Sequence, residues 1–165
     1  MSATEVRVRL YNVGFGDCIY VQVPDQGEKR HILIDCGTKG KAEEVLKEPL
    51  TGAQGVESML PVDASGGRRL DLLVVTHPHR DHIAGFGDKP CLDWFKKITI
   101  GAIWLSAEMD PGHPQAQAAR GLHAFAANTL RELSRVSLTP AMDTLVGELL
   151  AAGDDAAMDA LRVTL

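Results

Sequence analysis

Residues 70–85 read Leu70-Asp71-Leu72-Leu73-Val74-Val75-Thr76-His77-Pro78-His79-Arg80-Asp81-His82-Ile83-Ala84-Gly85. The first half is a compact apolar run, the pattern of a strand buried in a sheet. The second half places His77, His79, Asp81 and His82 within six residues. Imidazole nitrogen and carboxylate oxygen are both good zinc ligands, with bonds of roughly 2.0 to 2.2 Å. These residues are too close together to share one helix face, where neighbours recur three or four apart, and Pro78 disfavours a helix here. The expectation is a loop at the end of a buried strand, turning successive side chains toward a common point. Two metal ions fit this set, with His77 and His79 on one and Asp81 and His82 on the other. Such a pair, roughly 3.5 to 4 Å apart, bridges a water, lowers its pKa and stabilises a developing anion. Asp81 is expected to serve catalysis as well as ligation. An ordinary surface loop accounts for one histidine, but poorly for four ligand residues together at a strand end.

Working outward, Val6 to Leu10 alternates apolar and charged residues, the period of a half-buried strand. Asn12-Val13-Gly14-Phe15-Gly16-Asp17 interrupts it with two glycines and predicts a turn. Cys18–Val23 and His31–Asp35 read as two more strands around the polar connection Pro24–Lys29, a hairpin pattern. Lys41–Leu50 predicts a short helix stopped near Pro49, and residues 51–69 read mostly as loop. Phe86–Lys97 predicts a helical turn or two, and Ile98–Leu105 a further strand. After Ser106 the texture turns helical. Pro114–Val136 has helix-compatible spacing, and its alanine-rich face is expected to pack on other layers. Thr139-Pro140 fits an N-cap for a helix over Ala141–Ala152. A short helix near Asp154 and a strand at Val163–Leu165 complete the reading. Strands first and helices later predict an α/β fold of the layered α+β kind rather than alternating βαβ units. We expect one domain over residues 1–165, with a strand-rich metal-site half (1–105) and a helix-rich segment (106–165).

Composition narrows the function classes. A hydrophobic share of 45% and a charged share of 24% are ordinary globular values that support a core. The net charge of -5 argues against a broadly basic nucleic-acid surface, and 5% aromatic content leaves few stacking platforms. Three scattered cysteines, Cys18, Cys36 and Cys91, do not read as a disulfide framework and are expected to be free thiols. No apolar signal core opens the chain, and no run approaches a membrane span, so a cytoplasmic location without membrane attachment is the default expectation.

The run Thr76–Gly85 resembles the His-x-His-x-Asp-His signature of the metallo-β-lactamase superfamily. The upstream segments agree. Asn12–Asp17 resembles the Asp-Val-Gly-Gln-Gly-Asp turn of one branch, the soluble domain of DNA-internalisation competence proteins, with Asn12 and Phe15 departing from it. His31–Gly37 is similar to that branch's Leu-Ile-Asp-x-Gly strand end. Together they cover about residues 6 to 105. The resemblance implies an αβ/βα sandwich and hydrolysis by metal-bound hydroxide, with two zinc ions, or manganese or iron in their place. It also implies a phosphodiester or other ester-type substrate, nucleic acid or a small phosphodiester among them. It places Asp17 and Asp35 beside the metals as groups that orient ligand imidazoles; the competing reading is that each caps a turn.

The family also uses a later histidine, a bridging aspartate and often a final histidine. The expectation is therefore that this chain matches an N-terminal portion of a longer protein, or that the second half is lost or supplied by another chain; a sheet lacking half its strands leaves apolar edges exposed, so a homo-oligomer is expected of the fragment. His113 and Asp110 lie too close after His82 to be expected as those ligands. His123 is expected in mid-helix packing, His31 exposed in its strand, and Cys18 and Cys36 packed as small hydrophobes. The alternative function is a catalytically incomplete metal-binding or partner-binding module that lacks the downstream ligands.

Overall fold

The computed structural model describes residues 5–63, 66–110 and 112–133. The chain divides into two compact units between Leu105 and Ser106. The helix expected over Ala141–Ala152, the short helix near Asp154 and the strand at Val163–Leu165 lie outside the described residues.

The first unit is built on a five-stranded sheet in the order β1-β2-β3-β4-β5. β1 (Arg7–Leu10), β2 (Ile19–Asp25) and β3 (Glu28–Ile34) form an antiparallel meander. Gln26 and Gly27 join β2 to β3 at φ of 48° and 91°. Positive φ at both central residues is the geometry whose twist matches the flanking strands. β4 (Arg68–Val75) and β5 (Ile98–Leu105) add in parallel. Each is reached through helices. α1 (Ala42–Val45), α2 (Lys47–Thr51) and α3 (Val56–Met59) precede β4, while α4 (Arg80–Gly87) and α5 (Lys89–Phe95) precede β5.

The fold is thus a mixed sheet with helices, of the α+β class. Its parallel half contains the strand–helix–strand alternation that the sequence pattern did not predict. The crossover helices span only four to eight residues each, too short to display a 3.6-residue period. Pro49 sits inside α2 rather than ending a helix. It is the third residue there, where an amide hydrogen has no intrahelical acceptor to lose.

The two faces of the sheet differ. Tyr20, Leu33, Leu73 and Val75 are buried with Leu46, Leu50, Val56, Ile83 and Phe86 of the crossover segments. Each large apolar side chain so buried contributes roughly 1.5 to 3 kcal/mol. His31, expected to be exposed, is buried at 5% exposure, because its Nδ1 lies 2.6 Å from the Tyr20 hydroxyl on the neighbouring strand. Its amide donates to Asp71 Oδ2 at 2.9 Å.

The opposite face carries two apolar rows running across all five strands by pairing register. One is Val8, Val21, Ile32, Leu72 and Ala102; the other is Leu10, Ile19, Ile34, Val74 and Trp104. β1 therefore presents Arg7 and Arg9 as half-buried and Val8 and Leu10 as exposed, the reverse of the expected half-buried strand.

In the second unit a 3-10 turn at Ala107–Met109 precedes α6 (Pro114–Leu133). Met109 and Ala116 are buried, but Leu122 and Phe125 are exposed rather than packed in a layer. Among the described residues no helix is long and apolar enough to cross a membrane.

Candidate metal centre

Three segments meet at one end of the sheet: the turn Asn12–Asp17 before β2, the stretch Asp35–Lys39 after β3, and Thr76–His82 after β4. Backbone hydrogen bonds lock them together. Asp17 N–H donates to the Asp81 carbonyl at 3.0 Å, and Gly37 N–H donates to the Asp17 carbonyl at 2.9 Å. Cys36 N–H donates to the His82 carbonyl and Gly85 N–H to the Cys36 carbonyl, both at 2.9 Å. This approach requires glycine at Gly37, where a Cβ would run into the backbone of Asp81 and His82. It requires glycine again at Gly85, where a Cβ would lie 2.7 Å from the Cys36 carbonyl oxygen.

The ligand segment is not loop throughout. His77 and His79 lie in the connection, with His79 at the N-cap of α4, whereas Asp81 and His82 belong to the first turn of that helix. Pro78 precedes the helix and so breaks nothing. The amides of His82 and Ile83 both bond the His79 carbonyl, at 2.9 and 3.1 Å.

Asp35 organises the site. It ends β3 at φ 55°, a left-handed conformation that aspartate tolerates better than most residues, and its side chain is nearly fully buried. The carboxylate accepts three hydrogen bonds. Thr76 N–H donates to Oδ1 at 2.8 Å, and the Thr76 hydroxyl and His82 Nδ1 approach Oδ2 at 2.6 and 2.8 Å. A carboxylate only accepts, so it fixes the His82 proton on Nδ1 and leaves Nε2 with a free lone pair. The same Thr76 oxygen lies 3.0 Å from His77 Nδ1. Having donated its proton to Asp35, it accepts from His77 and frees that Nε2 as well. One carboxylate thereby sets two imidazoles, one directly and one through a hydroxyl.

Among the described residues, the group of three donors close enough to share one ion is Asp17, Asp35 and His82; His77, His79 and Asp81 are not in it. His82 Nε2 is 3.8 Å from Asp81 Oδ2. Two donors on one ion lie about 3.4 Å apart in tetrahedral geometry and at most about 4.4 Å apart. The His77 ring centroid is 3.7 Å from that of His82 and 4.7 Å from that of His79. Burial, reinforced by the neighbouring His82 and His79, lowers the His77 pKa and favours the neutral imidazole that a metal needs. Asp17 Oδ2 is 3.4 Å from His82 Nδ1. Asp17, Asp35 and His82 each offer one ligand atom, with all of them within 4.8 Å of one another.

A model of the metallo-beta-lactamase superfamily matches residues 11–151. The chain belongs to the metallo-β-lactamase superfamily. Members of this superfamily usually bind metal ions, in keeping with the donors gathered here. Searches of curated proteins and of solved structures gave no match.

Among the other singled-out residues, Cys18, Cys36 and Cys91 are buried free thiols. Hydrogen bonding to Cys18 and then burial push the Cys36 thiol well above its usual value, which suits packing rather than ligation. His113 and Asp110 belong to the second unit. Asp110 caps its own turn, accepting from Gly112 N–H at 2.8 Å, and His113 Nδ1 is buried with no partner among the described residues. The side chain of His123 lies outside the described residues. The functional group that the sequence pattern missed is the Thr76 hydroxyl. Its position directly before His77, at the end of a buried strand, was the available signal.

Proposed function

We propose that this chain carries the metal-site portion of a dinuclear zinc hydrolase acting on a phosphodiester or related ester. His77 and His79 hold one ion, and Asp81 and His82 hold the other. The observation that carries this reading is the Asp35 network, which presents the Nε2 lone pairs of His77 and His82 at the strand end where Asp81 also lies. A network that only capped a turn would not need two imidazoles fixed in one tautomer. Bound zinc lowers the pKa of water to about 7 and stabilises a developing oxyanion.

The chain's own residues do the rest. Asp35 and Thr76 hold the protons on the Nδ1 atoms, and Asp81 supplies negative charge beside His82. Asp35 orients rather than ligates, since both its oxygens are already committed to Thr76 and His82, and Asp17 approaches the same His82 Nδ1 at 3.4 Å. The resemblance of Asn12–Asp17 and His31–Gly37 to the DNA-internalisation branch favours phosphodiesters among the ester substrates.

Elemental analysis after loading with zinc or manganese tests the reading, with His77→Ala and His79→Ala beside the parent. Uptake that falls in both variants, together with turnover of bis(p-nitrophenyl) phosphate, supports it. A parent chain that takes up neither metal refutes it. Metal uptake without turnover favours the alternative of a binding module.

A further inference from the structure

We propose that Phe15 and Lys39 form a recognition element for phosphate esters that carry a flat aromatic group. This inference rests on the hydrolase reading above and names the substrate class of that site.

Phe15 is 66% exposed, although it sits in a tightly held turn. Gly14 N–H donates to Asn12 Oδ1 at 3.2 Å, and the Thr38 hydroxyl donates to the Val13 carbonyl at 2.7 Å. Lys39 N–H donates to the Phe15 carbonyl itself at 2.8 Å. The turn adjoins the metal ligands. A Cβ on Gly16 would lie 2.8 Å from the Asp81 carbonyl oxygen, and Asp17 follows. The Phe15 ring is thus an apolar surface exposed to water on a turn whose backbone is held next to Asp81.

Lys39 Nζ stands 4.2 Å from the ring centroid. Among the described residues no carboxylate forms an ion pair with Lys39. A cation over an exposed ring is weakly held, so it can turn to an incoming anion without breaking a salt bridge. The chain as a whole has a net charge of -5, which repels phosphate; Lys39 offsets that repulsion locally. A flat group stacks on an aromatic side chain whatever its hydrogen-bonding edge, so the pair selects for aromatic character plus phosphate and not for sequence.

The test is isothermal titration calorimetry of the zinc-loaded chain with thymidine 5′-monophosphate, phenyl phosphate and inorganic phosphate. We expect both aromatic esters to bind roughly tenfold tighter than inorganic phosphate, the scale of one stacked base. Phe15→Ala should remove that preference, Phe15→Tyr should keep it, and Lys39→Met should weaken all three ligands. Circular dichroism verifies that the variants are folded. The inference is overturned if the parent shows no preference for the aromatic esters or if Phe15→Ala leaves the preference intact. Zinc content measured on the same samples keeps the two readings apart. A chain that takes up no zinc sinks the hydrolase reading, whereas the ratio between aromatic and inorganic ligands still reports on Phe15.

Discussion

Replacing Asp35 by asparagine separates orientation of the metal ligands from simple packing. The two side chains have nearly the same shape. Asparagine retains an oxygen for Thr76 N–H, now 2.8 Å from Oδ1, but places an NH2 group where Oδ2 meets His82 Nδ1 at 2.8 Å. An NH2 group donates, so His82 must answer with a bare Nδ1, and its proton moves to Nε2. The lone pair that the metal requires is gone. The Thr76 hydroxyl, which donates to the same Oδ2 at 2.6 Å, loses its acceptor too, and each hydrogen bond to a charged group so lost costs about 1.5 to 3 kcal/mol of folding stability. Loss of the orienting partner of a ligand histidine costs about 10- to 100-fold in metal affinity. Zinc affinity measured by competition with a chromophoric chelator, beside urea denaturation of the metal-free chain, reads both quantities. Asp35→Gly is the control for backbone strain. It relieves the left-handed φ of 55°, worth roughly 1 to 2 kcal/mol, yet should bind zinc no better than Asp35→Asn. If Asp35→Asn binds zinc as tightly as the parent, the network does not orient His82 and the reasoning fails.

Three further outcomes follow from the same structure. Gly37→Ala should lower the urea midpoint by the equivalent of about 1 to 3 kcal/mol or more, since its Cβ meets the backbone of Asp81 and His82; Gly14→Ala, in open space at φ 70°, should cost only about 1 to 2 kcal/mol of strain. Burial lowers the His31 pKa from its usual 6.5, so the unfolded chain binds the extra proton first. Stability should therefore be full above about pH 6.5 and fall as the solution is acidified toward the lowered pKa, and His31→Gln should flatten that part of the urea-midpoint profile. The apolar row through Leu10 and Trp104, which are 73% and 65% exposed, should drive self-association, seen as a mass above the monomer in light scattering. Leu10→Lys with Trp104→Lys should reduce that mass, and a monomeric parent would count against the idea.

What the sequence disclosed and what it hid divide along the range of the interactions. β2 to β5 were legible because alternation and apolar runs are local patterns. The candidate cluster from His77 to His82 could be named from sequence because its residues are neighbours there. The start of α4 at Arg80 was hidden: Pro78 discourages a helix only at its own position, and an eight-residue helix is too short to show periodicity. The burial of His31 depends on Tyr20, eleven residues away on the paired strand. The outward turn of Val8 and Leu10 is set by register with β2, which no property of Val6–Leu10 encodes. The role of Thr76 appears only when Asp35 is brought against it across the sheet.

The joining of the three loops also governs when the site forms. The bonds from Asp35 to Thr76 and to His82 close separations of 41 and 47 residues. Closing a loop of that length costs roughly 3 kcal/mol of chain entropy, which the short β2–β3 hairpin does not face. From that cost we expect the cluster to form late in folding. A partly folded chain holds its histidines adjacent in sequence but with their tautomers unset and Asp81 untethered. If the site takes up metal as proposed, zinc added early in refolding should leave the rate of hairpin formation unchanged.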